Sequence, residues 1–262
     1  MSVVFTPGSR ITRLVDIVFP GDTNHHGTLF GGIGLAHMDK VAFIAASRHA
    51  HVDFVTASCE RIDFVAPAHL GEIVELAGHV IRVGRRSLSV EVALVAEAPL
   101  SGERRLCGRG VFNMVAVGGG LKGSGGQLPP LPPISEEAPD TDLRMVDMVF
   151  PEQTSHYGSL YGGNALAIMG KAAFVAATRR CRKAVVLASS QRVDFTNQIQ
   201  RGEVVELVPQ VIKAGRSSMT VEVQIWAENL QSGKRRSCGQ GTFIMVAVDE
   251  QHRPIAVPSA AA

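Results

Sequence analysis

The stretch Asn24-His25-His26-Gly27-Thr28-Leu29-Phe30-Gly31-Gly32 leads directly into an apolar run that covers residues 33 to 49. The run has the length and periodicity of one long buried helix. The glycines of the stretch let the backbone turn tightly and approach a ligand just before this helix begins. The first N–H groups of a helix have no partner within it and lie at its positive dipole end, so they can polarise a carbonyl or hold an anion. The stretch therefore predicts a binding site at a helix start.

Two polar side chains stand out in this region. Asp39 lies in the middle of the apolar helix, between Leu35 and Phe43, and an ionised group among such neighbours needs a partner or a chemical role. It is either a catalytic acid or a helix-surface or interface residue paired with Lys40 or an arginine. Asn24 is either a site residue or a turn residue whose side chain bonds its own backbone.

The whole pattern occurs twice in the 262 residues. Roughly half of the positions from 19 to 117 are identical, without a gap, to positions at one fixed spacing further on, which is far above chance for an internal repeat. The spacing relates Phe19-Pro20 to Phe150-Pro151, Gly31-Gly32 to Gly162-Gly163, and Cys107-Gly108 to Cys238-Gly239. The chain is therefore a tandem duplication.

The repeat predicts the domain organisation. We expect an N-terminal domain at 10–117, a Gly- and Pro-rich linker at 118–141, a C-terminal domain at 142–248 and a tail at 249–262. A repeat unit of roughly 100 residues matches the usual size of a domain. The linker is predicted to be flexible with a stiffer proline-rich part, and the polar tail is predicted to be disordered.

Each repeat reads as one strand, a long helix and four strands. In the first repeat, alternating hydrophobicity predicts the strands at 12–18, 58–65, 72–83, 87–96 and 104–117. The single helix must cover one face of an antiparallel sheet, because nothing else in the repeat is available to do so. The predicted fold class is α+β.

Composition narrows the class of protein. Apolar residues make up 45% and charged residues 19%, which is enough for packed cores, and the net charge is only +2 with scattered lysines and arginines. Nucleic acid is therefore a poor partner. The four cysteines form no CxxC pair, and His25-His26 and His156 lack a third ligand at a useful spacing, so no metal is expected. We find no secretory signal and no apolar run of about 18 residues that could span a membrane, and predict a cytoplasmic protein.

The two helix entries resemble a known family. The pattern Asn-x-x-Gly-x-Leu-Phe-Gly-Gly, followed by Met38-Asp39 in the helix, is similar to the hotdog fold of acyl-CoA thioesterases, especially the branch with two hotdogs in tandem. The resemblance covers both repeats. It implies two hotdog domains paired as an intrachain pseudo-dimer, in which the Asn loop of one half faces the helix acid of the other.

The resemblance also implies that the two sites are unequal. The second repeat has Ser155 in place of Asn24 and Gly170 in place of Asp39. One site would join Asp39 to the loop and helix start of the second repeat, and the other would join the Asn24 loop and Gly32 to Gly170. The acid-bearing site would then contain Asp39, Ser155, His156 and Gly163. Whether the site with Asn24 and Gly170 is active stays open.

The chemistry implied is hydrolysis of fatty acyl-CoA to a fatty acid and CoA. Asp39 would act as base or as nucleophile, and both remain open, while the Gly163 amide would stabilise the oxyanion. Ser155 or His156 would take the place of the missing asparagine. The alternative function is a non-catalytic acyl-CoA-binding or scaffold protein, motivated by the altered second repeat.

The turns that precede two strands carry the residues expected near the CoA phosphates. These residues are Arg85 and Ser87 in the first repeat and Arg216 and Ser218 in the second. Arginine suits bidentate phosphate contacts, and the alternative is an ordinary solvated hairpin turn. CoA is part of the substrate, so no separate cofactor is implied. We also expect a homo-oligomer, for which a trimer of tandem chains is one arrangement.

Overall fold

The computed structural model describes residues 11–117, 130–134 and 143–258. Their helices and strands fall into two compact units, each built around the helix and sheet of one repeat. The predictions for residues 10, 118–129, 135–142 and 259–262 lie outside the described residues. Among the described residues, neither long helix has the combination of length and apolarity that crossing a membrane requires.

Unit 1 consists of one helix on an antiparallel sheet. Its elements are β1 (Thr12–Ile17), α1 (Gly31–Ala50), β2 (Phe54–Cys59), β3 (Asp63–Phe64), β4 (Ile73–Val83), β5 (Ser87–Glu97) and β6 (Arg104–Ala116). The strand order is β1-β4-β5-β6-β2, with β3 also paired to β6. A short 3-10 turn, Pro20–Asp22, separates β1 from the Asn24 loop.

Unit 2 repeats this arrangement. Its elements are β7 (Met145–Met148), α2 (Gly162–Cys181), β8 (Ala184–Phe195), β9 (Val204–Ala214), β10 (Ser218–Glu228) and β11 (Arg235–Val248). The strand order is β7-β9-β10-β11-β8. The α+β class and the tandem hotdog architecture are confirmed, whereas the pairing of the halves into a pseudo-dimer stays a prediction.

The core of unit 1 lies between α1 and the sheet. Met38, Val41 and Ala42 of α1 are completely buried in one cluster with residues of β4, β5 and β6. The helix approaches β4 so closely that a Cβ at Gly78 would lie 2.6 Å from a methyl carbon of Val41. Small residues on the helix and glycine on the strand permit this close packing.

One predicted strand differs from the structure. Instead of a single strand at 58–65, unit 1 has β2 and the two-residue β3, separated by residues 60–62. Ile62 in this break packs over Gly110 of β6, where any side chain would collide with it. Val193, the equivalent of Ile62, packs over Gly241 in unit 2 in the same way, so this contact does not by itself interrupt the strand. The corresponding segment of unit 2 is the continuous strand β8.

The prediction of a disordered tail is wrong for residues 249–258. Asp249 accepts backbone hydrogen bonds from Gln251 and Arg253 at 2.9 Å each, which turns the chain back toward the sheet. After this turn, Val257 donates its N–H to the carbonyl of Arg216 at 2.8 Å. The aspartate turn supplies local order that composition alone did not indicate.

Candidate active site

The Asn24 loop is held by its own hydrogen bonds. The Asn24 amide nitrogen donates to Thr28 Oγ1 at 3.0 Å, and its amide oxygen accepts from the backbone N–H of His26 at 2.9 Å. Asn24 is therefore a turn-forming residue in this structure, one of the two interpretations left open by the sequence. A site role for the asparagine stays a prediction.

The loop is also fastened to the segment that follows β3. Leu29 donates its N–H to the carbonyl of Ala68 at 2.8 Å, and Leu70 donates to the carbonyl of Gly27 at 3.0 Å. Helix α1 then begins at Gly31, with Phe30 at its N-cap. A Cβ at Gly32 would lie 2.6 Å from the Phe30 ring, so a glycine lets this ring fold back over the helix start.

Asp39 is half-buried on α1 and has a specific partner. Thr56 of β2 donates its hydroxyl hydrogen to Asp39 Oδ1 at 2.6 Å. A charge-assisted hydrogen bond of this length orients the carboxylate. The expected alternatives for a partner were Lys40 or an arginine, and Thr56 was missed by the sequence reasoning.

A signal for Thr56 was nevertheless present in the repeat. The residue equivalent to Thr56 is Leu187, and the residue equivalent to Asp39 is Gly170. The donor and the acceptor of this hydrogen bond are thus both absent from the second repeat. Comparison of the repeats position by position would have coupled the two residues.

The second repeat keeps the loop shape with other side chains. Ser155 Oγ accepts from the backbone N–H of Tyr157 at 3.3 Å, and the exposed His156 stacks against Tyr157 with ring centroids 3.9 Å apart. Gly163 lies at the start of α2, where a Cβ would meet the Tyr161 ring at 2.7 Å. At Gly170 a Cβ would meet no atom within 4 Å.

The predicted CoA-contacting residues lie at exposed or half-exposed hairpin turns. Arg85 and Ser87 are at the β4–β5 turn, which closes through the N–H of Gly84 donating to the carbonyl of Ser87 at 2.7 Å. The β9–β10 turn with Arg216 and Ser218 closes in the same way. Both the phosphate-binding and the solvated-turn interpretations remain consistent with these positions.

An apolar cavity of ≈ 360 Å³ lies within unit 1, next to the start of α1. Its wall includes Leu29, Gly31, Phe64, Pro67, Leu94 and Cys107. Burial raises the pKa of the Cys107 thiol, so the wall carries no thiolate at neutral pH. Residues 65–68 of this wall are Val-Ala-Pro-Ala, whereas residues 196–199 at the equivalent positions are Thr-Asn-Gln-Ile. The cavity in unit 1 thus suits a hydrocarbon group.

Among the described residues, there is no cluster of three or more metal-ligating side chains.

The fold, the two glycine-containing helix starts and the acid on α1 together point to a class of protein. The thioesterase superfamily matches residues 26–102 and 157–234, one segment in each repeat. The chain belongs to this superfamily.

Individual members of this superfamily are similar to the chain over most or half of its length. The chain is 52% identical to an acyl-CoA hydrolase of known crystal structure from Agrobacterium tumefaciens, covering 96% of this chain and 99% of that one with a TM-score of 0.86. It is 22% identical to the cytosolic acyl coenzyme A thioester hydrolase of Rattus norvegicus, over 92% of this chain and 75% of the relative. An uncharacterized acyl-CoA thioester hydrolase of Bacillus subtilis is 37% identical and covers 50% of this chain and 77% of its own.

Proposed function

We infer that this protein is an acyl-CoA thioesterase that hydrolyses fatty acyl-CoA to a free fatty acid and CoA. The observation that carries this conclusion is Asp39, held by Thr56 at 2.6 Å on the long helix of a thioesterase superfamily fold. The apolar cavity beside the start of α1 supports a fatty acyl group as the part of the substrate that is recognised. The names of the Agrobacterium and rat relatives support CoA as the other part.

In the proposed reaction, a helix start polarises the thioester carbonyl and Asp39 supplies the base. Thr56 occupies Oδ1, so Oδ2 takes a proton from a water molecule whose oxygen attacks the carbonyl carbon. The tetrahedral oxyanion is stabilised by backbone N–H groups at the helix start and by a neighbouring polar side chain. The carbon–sulfur bond then breaks, and the CoA thiolate leaves and takes up the proton held by Asp39, which regenerates the carboxylate.

Further parts of the proposal concern CoA binding, location and assembly. Arg85 and Arg216, with Ser87 and Ser218, are proposed to contact the CoA phosphates, since arginine offers paired donors to phosphate. A cytoplasmic location is supported by the name of the rat relative. Assembly into a homo-oligomer, for which a trimer of chains is one arrangement, is supported by exposed apolar side chains such as Phe30 and Leu35.

Release of CoA from a panel of acyl-CoA substrates, followed with a chromogenic thiol reagent, tests the function. We expect turnover, and we expect Asp39→Asn to lower kcat by about 10²-fold or more, because a positioned base contributes this much. Asp63→Asn is the matched control, since Asp63 is exposed and pairs with Arg61 at 2.9 Å. Binding of acyl-CoA without turnover would favour the scaffold function, and turnover unaffected by Asp39→Asn would exclude Asp39 as the base.

A further inference from the structure

The side chain of Phe64 lies in a slot that is bounded by glycines near the start of α1. A Cβ at Gly31 would lie 3.7 Å from the Phe64 ring, a Cβ at Gly34 would lie 3.4 Å from it, and a Cβ at Gly108 of β6 would lie 3.3 Å from it. Gly31 and Gly34 are three residues apart in α1 and therefore share one face of the helix. The ring fits against this face because neither position carries a side chain.

The Phe64 ring is also the exposed part of the cavity wall. Leu94 and Cys107 line the same cavity of ≈ 360 Å³ and are each 1% exposed, whereas Phe64 is 45% exposed. The ring is therefore on the side of the cavity that faces solvent. A Cβ at Gly34 would also lie 3.6 Å from a methyl carbon of Leu94, so Gly34 adjoins both the ring and the buried wall.

The backbone of Phe64 is fixed, but the helix does not lock its ring. Phe64 pairs with Gly108 in the ladder between β3 and β6, and Val65 donates its N–H to the carbonyl of Cys107 at 2.8 Å. The glycines of α1 offer no side-chain atoms that would interlock with the ring. Rotation about the side-chain bonds of Phe64 can therefore change the cavity entrance without moving the strand.

The second repeat lacks this slot. Phe195 stands at the equivalent position, but Ala165 replaces Gly34. A Cβ at Gly162, the first residue of α2, would meet no atom within 4 Å, so the Phe195 ring does not lie at this helix start. A phenylalanine ring seated on the helix beside an apolar cavity is thus a feature of unit 1 and not of unit 2.

We propose that Phe64 gates the apolar cavity of unit 1 and thereby determines which acyl chain lengths the protein accepts. This inference rests on the proposed thioester hydrolysis. With the ring on the glycines, the cavity takes a short acyl group. A longer acyl group enters when the ring turns away, and the lost ring contacts offset part of the affinity that its additional CH₂ groups contribute.

Variants on the two sides of the slot should shift specificity in opposite directions. Phe64→Ala removes the gate and should raise the ratio of kcat/KM for dodecanoyl-CoA to kcat/KM for hexanoyl-CoA by about 10-fold, the scale of two more buried CH₂ groups. Gly34→Ala adds a methyl group that contacts both the ring and Leu94. This variant fills the space between them and should lower the same ratio.

The matched variants in unit 2 are Phe195→Ala and Ala165→Gly, and neither should change the ratio. Phe64→Leu keeps an apolar side chain at the site and should shift the ratio in the same direction as Phe64→Ala, but less. A ratio that stays at its native value in both Phe64→Ala and Phe64→Leu would overturn the proposal. An equal shift in Phe195→Ala would also overturn it, because the effect would then not belong to the slot of unit 1.

Binding of fatty acids tests the gate without turnover. Isothermal titration calorimetry with dodecanoate and with hexanoate compares the native protein with Phe64→Ala, for which dodecanoate should bind about 10-fold tighter relative to hexanoate. Unchanged relative affinity, or undetectable binding of dodecanoate to Phe64→Ala, would contradict the gate. Absence of turnover by the native protein, with the expected change in binding present, would contradict the proposed function alone.

Discussion

At the scale of single residues, the Asp39–Thr56 pair is the feature on which the proposed chemistry depends most directly. Asp39 was predicted as a candidate catalytic residue from its position in an apolar helix, because an ionised group in such a setting needs a partner or a chemical role. Thr56 was not predicted, because a threonine in a strand is common and its contact with Asp39 at 2.6 Å exists only in the folded unit. The hydroxyl binds one carboxylate oxygen, which in the proposed reaction leaves the other oxygen for the attacking water.

Replacement of Thr56 by valine should separate orientation from binding. The valine keeps the shape of threonine but removes the hydroxyl donor, and a hydrogen bond to a charged group contributes about 1.5–3 kcal/mol. We expect kcat to fall by about 10-fold, with KM changed much less. Thr56→Ser retains the donor and should keep most of the activity. Equal kcat in the native and Thr56→Val proteins would show that the hydroxyl does not position Asp39.

At the scale of elements, a half-buried ion pair joins Glu72, the residue before β4, to Arg105 of β6 and to the segment 67–70, which contacts the Asn24 loop. Arg105 donates to both carboxylate oxygens of Glu72 and to the carbonyl of Pro67, and Glu72 also accepts from the N–H of His69 at 2.6 Å. Residues 67–70 in turn hold the loop before α1. Unit 2 repeats the arrangement with Glu203 and Arg236.

This ion pair should make the stability of each unit sensitive to acid. Burial acts to raise the pKa of Glu72, but the hydrogen bonds from Arg105 and His69 and the charge of Arg105 outweigh it and lower the pKa below 4.5. The pKa of Glu203 is lowered in the same way, with Arg236 and the N–H of Gln200 as partners. A lowered folded pKa contributes stability above the unfolded pKa, and this contribution is lost as the pH falls through the folded pKa.

Urea unfolding between pH 7 and pH 3 measures the contribution. Glu72→Gln should lower stability at pH 7 by about 2 kcal/mol, which is less than the roughly 3–5 kcal/mol for breaking a fully buried pair, because Arg105 is partly exposed. The deficit should shrink as the pH falls through the lowered pKa of Glu72, because the native carboxylate then takes up a proton and loses its charge. Glu203→Gln is the matched variant in unit 2, and Glu103→Gln, at an exposed position, is the control. A deficit that does not depend on pH would contradict the linkage.

At the scale of the whole molecule, the two repeats share a fold but differ at the candidate site residues. The second repeat has the same strand order and a helix of the same length, yet it lacks the acid, its threonine partner and the loop asparagine. At two of these positions in unit 2, the side chain is exposed or has free space around it. Leu187 is 50% exposed, and a Cβ at Gly170 would meet no atom within 4 Å. Unit 2 could lose these side chains without disturbing its core.

Because these positions are unobstructed, substitution can introduce the side chains of unit 1 into unit 2. In an Asp39→Asn background, the combined replacements Ser155→Asn, Gly170→Asp and Leu187→Thr should raise turnover at least about 10-fold over the parent, since they restore a base and an oxyanion donor to unit 2. Short acyl groups should benefit most, because residues 196–198 are polar where unit 1 is apolar. Gly170→Asp alone measures how much of the recovery the acid supplies without the other two replacements. No recovery in the thiol-release assay would show that other differences silenced unit 2.

Local patterns in the chain determined the duplication, the long helix with its acid, the alternating strands and the α+β class, because each of these leaves a periodic or repeated mark on nearby residues. The tertiary structure alone decided which distant residues meet. Thr56 reaches Asp39 across 17 positions, Arg105 reaches Glu72 across 33, and Cys107 joins Leu29 in one cavity wall. No local period records such contacts, since they depend on how the helix lies on the sheet. The ordered tail was missed in part for the same reason, because Val257 bonds to the distant Arg216, although the turn at Asp249 that directs it there is local.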